Sequence, residues 1–89
     1  MGDYSIEFDR RVKKDLKSVP TQEMERIKAA ISNLSSNPRP SGCKKLKGKN
    51  YEYFRIRVGD YRVVYTINDK VLLIIIIRVG HRKEIYQSL

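Results

Sequence analysis

The sequence contains no tryptophan, one cysteine and one histidine among its 89 residues. With Cys43 alone, no disulfide can close within the chain, and a four-thiolate zinc site is ruled out. Lys44 and Lys45 follow that thiol directly, but no histidine stands near it in sequence, so it reads as inert. With His81 alone, two-histidine acid–base catalysis is ruled out too. Carboxylates are few and scattered, ten Asp and Glu against nineteen Lys and Arg, with no HExxH, P-loop or paired-carboxylate motif. Metal-dependent nucleases hold their ions with clustered carboxylates, so neither a metal nor an organic cofactor is expected. The apolar run from Val71 to Ile77 is too short to cross a bilayer. No signal peptide is visible, and Ile6 stands where myristoylation of Gly2 needs Ser or Thr. The expected setting is a reducing cytoplasm, with no membrane role.

What is abundant is positive charge. A formal net charge of +9 on 89 residues attracts nucleic acid, anionic membrane or an acidic protein, and charge alone does not choose among them. The length suits one domain, residues 1–89, with a modest core, and 40% hydrophobic residues argue against disorder.

The chain is organised around Tyr51 to Tyr65, where two alternating runs flank Gly59-Asp60. A Gly-X pair between such runs suits a two-residue type II′ hairpin turn. Placing Val58 opposite Tyr61 pairs Ile56 with Val63 and Phe54 with Tyr65, all on one side of the ribbon. Arg55, Arg57 and Arg62 then share the other side, with Arg57 directly across from Arg62. Like charges across a ladder repel, so stability alone does not select this arrangement. A polyanion lying on that face relieves the repulsion.

Before the hairpin, Tyr4, Ile6 and Phe8 alternate with polar residues and predict a short strand with one buried face. Asp9 can cap a helix with apolar positions Val12, Leu16 and Val19. Pro20 fits the first turn of a second helix, whose stripe is Met24, Ile27, Ile31 and Leu34. Asn37-Pro38-Arg39-Pro40 ends it. Lys44, Lys45, Lys47 and Lys49 then form a cationic loop, suited to sequence-blind contact with phosphate. After the hairpin, Asn68-Asp69 turns the chain into an apolar strand, Val71 to Val79, which Gly80 ends. The expectation is an α+β domain: an N-terminal strand, a helical hairpin, then a three-stranded antiparallel meander, with the helices packed on one face of a twisted sheet.

Without a metal, RNA can still be cleaved by attack of its own 2′-hydroxyl on the neighbouring phosphate. One group must take a proton, cations must stabilise the added negative charge, and an acid must protonate the leaving oxygen. Cations are plentiful here. The candidate proton carriers are His81, Tyr86 or a perturbed lysine, and only His81 has a suitable intrinsic pKa.

The resemblance that gathers these features rests on Lys14-Asp15-Leu16, Asn37-Pro38-Arg39-Pro40, Lys45-Leu46-Lys47-Gly48, Phe54-Arg55-Ile56-Arg57, Gly59 to Tyr65, Val79-Gly80-His81-Arg82 and Tyr86. Across almost its whole length the chain resembles the RelE/ParE superfamily of toxins from toxin–antitoxin pairs, the RelE branch in particular. That resemblance implies the β-α-α-β-β-β fold and a metal-independent endoribonuclease that cuts mRNA in the ribosomal A site. It implies as partners a cognate acidic antitoxin, the ribosome and mRNA. Carried onto this chain, the family's catalytic places are Arg55, Arg57, Arg62, Arg82 and Tyr86. Some relatives carry lysines where this chain has Arg55 and Arg57, and a guanidinium does not readily release its proton. The proton work is therefore expected to shift to His81, placed at the rim of the arginine face. The chain also ends soon after Tyr86, without the terminal helix that some relatives use in antitoxin control. Two other functions stay open on the same fold: a ParE-like inhibitor of DNA gyrase, and a non-catalytic RNA-binding domain.

Overall fold

A computed structural model describes residues 3–47 and 52–82; of Lys47 only the backbone is described. The elements are β1 (Ser5–Phe8), α1 (Arg10–Lys17), α2 (Thr21–Leu34), β2 (Lys44–Lys47), β3 (Glu52–Val58), β4 (Tyr61–Asn68) and β5 (Leu73–His81). The five strands form one sheet in the order β1-β5-β4-β3-β2. β1 lies parallel to β5, and the other neighbours are antiparallel. Among the described residues no helix is long and apolar enough to cross a membrane.

Local chemistry accounts for the helical hairpin. Asp9 caps α1, its side chain accepting from the Arg11 amide, and Val12 is buried on the inner face. Pro20 is the N-cap residue of α2 rather than a member of its first turn, and its extended ψ of 149° turns the chain between the helices. Ile27, Ile31 and Leu34 bury the predicted stripe against the sheet. From the sheet come Phe54, Ile56, Val58, Val63, Tyr65, Ile74, Ile76 and Val79. Removing each large aliphatic side chain from water is worth about 1.5–3 kcal/mol, so this one layer carries most of the stabilisation. Tyr65 is wholly buried, and its hydroxyl donates to the Pro38 carbonyl at 2.7 Å, tying the α2–β2 loop to the core.

Four details depart from expectation. Lys44 to Lys47 is not a loop but a strand, β2, pairing with the free edge of β3 and extending the meander to four strands. Backbone hydrogen bonds along an open edge outweigh the weak strand preference of lysine, and a lysine-rich outer strand discourages further pairing. β5 begins at Leu73, because Asn68 Oδ1 accepts from the Lys70 and Val71 amides and lengthens the turn. Leu72 carries that turn with φ at 53°. The strand then runs through Gly80, which pairs with Arg62, and ends at His81 opposite Tyr61. Phe8, expected on the buried face of β1, is 55% exposed because the helices do not close over the strand's end.

Candidate functional site

The hairpin has the expected register: Val58 faces Tyr61, Arg57 faces Arg62, Ile56 faces Val63 and Phe54 faces Tyr65. Gly59 has φ at +60° while Asp60 does not, the signature of a type II′ turn. A side chain at Gly59 would also meet Glu23 Oε2 at 3.1 Å, since the start of α2 leans over the turn.

The side of the sheet away from the helices therefore carries Arg55, Arg57 and Arg62 together. β2 adds Lys44 directly opposite Arg55, and Arg55 in turn faces Val64. Val64 faces Arg78, so one row across four strands carries three basic residues, Lys44, Arg55 and Arg78. Arg78 reaches this side through an irregularity. Strict alternation from Ile74 and Ile76 would point Arg78 into the core, but the register shifts between Val64 and Tyr65. Val79 takes the core position and Arg78 swings outward.

Sequence reasoning treated the arginines as a solvated or ligand-facing surface, yet only Arg57 is exposed. Arg55 is 5% exposed and Arg62 is 9% exposed. Arg62 folds back over its own turn, donating from Nη1 to the carbonyls of Tyr61 at 3.2 Å and Gly59 at 3.5 Å. Arg55 Nε is buried with no hydrogen-bond partner. Among the described residues, the ion pairs are Arg11–Asp9, Arg26–Glu23, Arg39–Asp69, Lys45–Glu52 and Arg78–Asp15. None of them neutralises Arg55, Arg57 or Arg62. Buried cations without counter-charges are costly, and an incoming phosphate supplies both the charge and the missing acceptors.

Asp15 and Arg78 form the exception on this side. Burial opposes ionisation of Asp15, but hydrogen bonds from the Arg78 guanidinium and the Val79 amide, with the Arg78 charge, outweigh it and hold the carboxyl below its ordinary value. Through this contact α1 covers the edge of β5 beyond the end of β1. The sequence marked neither Asp15 nor Arg78 as a pair, because 63 residues separate them.

The remaining candidates divide. Arg82 is exposed beside the hairpin turn, its amide donating to the Asp60 carbonyl at 2.9 Å. Lys45 faces the helix side, opposite Phe54, and pairs with Glu52 at 3.1 Å, so it does not join Lys44 on the arginine face. The Lys47 side chain, Lys49 and Tyr86 lie outside the described residues. His81 corrects the expectation most. Its partner Tyr61 packs on the core, and the two rings meet edge to face at 5.8 Å and 80°. The strand therefore presents His81 on the helix side, away from Arg55, Arg57 and Arg62. For the RNA cleavage that the family resemblance implies, His81→Gln is accordingly expected to change the rate by less than about threefold, against the roughly 10²–10⁴-fold loss due to a general base. Single-turnover cleavage by both proteins between pH 6 and 9 checks this, and a flattened pH profile in the variant would restore His81 as the base.

Comparisons with known proteins agree with the fold. Residues 6–86 match the family described as ParE toxin of type II toxin-antitoxin system, parDE. The chain is 42% identical over 83 residues to Toxin RelE3 of Methanocaldococcus jannaschii, covering 89% of this chain and 91% of that protein. It is 29% identical over 88 residues to the mRNA interferase toxin RelE of Escherichia coli, covering 96% and 92% respectively. A chain of the archaeal RelE–RelB complex from Pyrococcus horikoshii is similar with a TM-score of 0.79 and 31% identity, over 90% of this chain and 96% of that one.

Proposed function

The chain belongs to the RelE/ParE superfamily of type II toxin–antitoxin toxins, on its RelE-like branch, and from that premise we propose that it is a metal-independent endoribonuclease acting on mRNA in the ribosomal A site. The observation that carries this reading is the arginine face: three guanidinium groups on one side of a hairpin, two of them buried and none neutralised among the described residues. The mRNA interferase name of the Escherichia coli relative supports the same chemistry.

In the proposed reaction a 2′-hydroxyl oxygen attacks the adjacent phosphorus, the bond to the 5′-oxygen breaks, and the proton lost by the hydroxyl is balanced by one gained by the leaving oxygen. Negative charge accumulates on the non-bridging oxygens. Arg62, held by two carbonyls of its own turn, and Arg55, with an unused Nε, are pre-organised donors for those oxygens. Arg57 and Arg82 extend the grip along the chain of phosphates, and Lys44 adds an unspecific cation. Tyr86 keeps the role that the family resemblance implies. Programmed ribosomes incubated with the toxin test this: cleavage within the A-site codon is expected, and intact mRNA would overturn it. Because the family description names ParE toxins, the alternative is gyrase inhibition, and a parallel supercoiling assay separates the two.

The proposed partner is an acidic antitoxin, in keeping with a charge of +9 and with the RelE–RelB assemblies among the similar structures. An apolar groove of about 290 Å³ between β1 and the helices, lined by Ile6, Phe8, Leu16, Ile27 and Ile31 with Lys28 beside them, supports an amphipathic acidic segment. Phe8→Asp is expected to weaken antitoxin binding by roughly 30-fold, the scale of one interface hot spot. Titration calorimetry with the co-expressed antitoxin measures it, and unchanged affinity would remove the groove from the interface.

A further inference from the structure

A second cavity, of about 320 Å³, opens on the arginine side of the sheet and is lined by Asp9, Arg11, Tyr53, Thr66, Ile75 and Ile77. Nothing in the phosphate chemistry above uses it. Tyr53 lies two residues before Arg55 on the same face of β3, so about 7 Å of strand separates this cavity from the phosphate grip. A nucleotide whose phosphate sits on Arg55 therefore has its base within reach of the cavity.

Resting on the endoribonuclease reading, we infer that this cavity is a base pocket of the toxin and that it selects guanine. The walls and the rim each contribute. Ile75, Ile77 and the Tyr53 ring supply flat apolar surface against which a splayed-out base can stack. The volume is that of a small-ligand site rather than a packing defect. The rim carries an ordered ion pair instead of loose charges. Asp9 Oδ1 accepts from both the amide and Nε of Arg11, each at 2.9 Å. That leaves Asp9 Oδ2 outside these bonds, while the terminal guanidinium nitrogens of Arg11 remain as donors beside it.

Arg11 donors thus stand beside the Asp9 acceptor, and the lining adds the hydroxyl of Thr66. Guanine presents the complement along one edge: the O6 acceptor, then the N1–H and N2–H₂ donors. Arg11 is the preferred kind of partner for O6, Asp9 Oδ2 can accept from N1–H, and the Thr66 hydroxyl can accept from the amine. Adenine and cytosine begin that edge with a donor, which meets Arg11 unfavourably. Uracil ends with an acceptor and leaves a single donor for the carboxylate. The Arg11 side chain and amide lower the Asp9 carboxyl below its ordinary value, so it is an acceptor at neutral pH.

The test uses the free toxin and four ribonucleoside monophosphates, observed through the methyl resonances of Ile75 and Ile77. Guanosine monophosphate is expected to shift both and to saturate at about tenfold lower concentration than the other three, the scale of one good base contact. Asp9→Asn keeps a competent helix cap but presents an amide where the carboxylate was, and it is expected to erase that preference. Equal affinity for all four nucleotides, or methyls that do not move, would overturn the pocket. On ribosomes, cleavage at guanine-containing A-site codons should fall about tenfold relative to other codons in Asp9→Asn, and an unchanged codon profile would count equally against it. If wild-type toxin cut no mRNA at all, the endoribonuclease reading would fall, and the nucleotide titration would still decide the pocket.

Discussion

Arg62→Lys is expected to lower single-turnover cleavage of A-site mRNA by roughly 10²–10³-fold, the usual effect of removing one pre-organised donor from a developing oxyanion. The side chain is 9% exposed, and its guanidinium is aimed by the carbonyls of Gly59 and Tyr61. A lysine at this position keeps the charge but loses the planar fork that can hold two phosphate oxygens together. It also stands opposite Arg57, so the local repulsion is retained and the comparison isolates geometry from charge. Ribosome affinity should change little. Lys44→Ala should do the reverse, lowering affinity and its salt dependence with a smaller effect on the cleavage step. Wild-type cleavage by Arg62→Lys would show that Arg62 contributes charge alone.

The second large effect concerns stability. Asp15→Ala is expected to destabilise the domain by about 3 kcal/mol, the low end for removing one partner of a buried ion pair. The carboxylate holds Arg78 through two bonds of 2.8 and 2.9 Å and accepts the Val79 amide at 3.0 Å. Alanine leaves a largely buried guanidinium and a strand-edge amide without acceptors. For a domain of this size the melting temperature should fall by roughly 12–24 °C, measurable by calorimetry, and a fall under about 3 °C would mean that solvent replaces the pair. Asp15→Asn, which retains an acceptor for Val79, should fall between. The pH dependence has a definite sign. The folded carboxyl lies below its ordinary value of 3.8, so the unfolded chain takes up the proton first on acidification. The stabilisation is complete above pH 3.8 and fades as pH falls through the folded value. Wild type should lose this contribution in acid, and Asp15→Ala should not.

Much of this molecule is legible in the order of its residues. Alternation around Gly59-Asp60 suffices to pair Arg57 with Arg62 and to put Arg55 on their side, because a two-residue turn leaves the ladder one register. The stripe of Ile27, Ile31 and Leu34 likewise determines which face of α2 is buried. These are local rules, acting over a few residues, and a single chain states them in full.

What the sequence does not state is set by contacts between distant segments. β2 exists because β3 has a free edge to offer, a property of the sheet rather than of four lysine-rich residues. A bulge places Arg78 with the arginines and Val79 in the core, and only the pairing of β4 with β5 reveals it. His81 follows Gly80 and precedes Arg82 in sequence, which made it a neighbour of the arginine face. Pairing with Tyr61 turns it to the helix side instead, since successive residues of a strand point to opposite faces. The base-sized cavity joins Asp9 and Arg11 to Tyr53, Thr66, Ile75 and Ile77. Its lining comes from four separate parts of the chain, so it exists only where the fold brings them together.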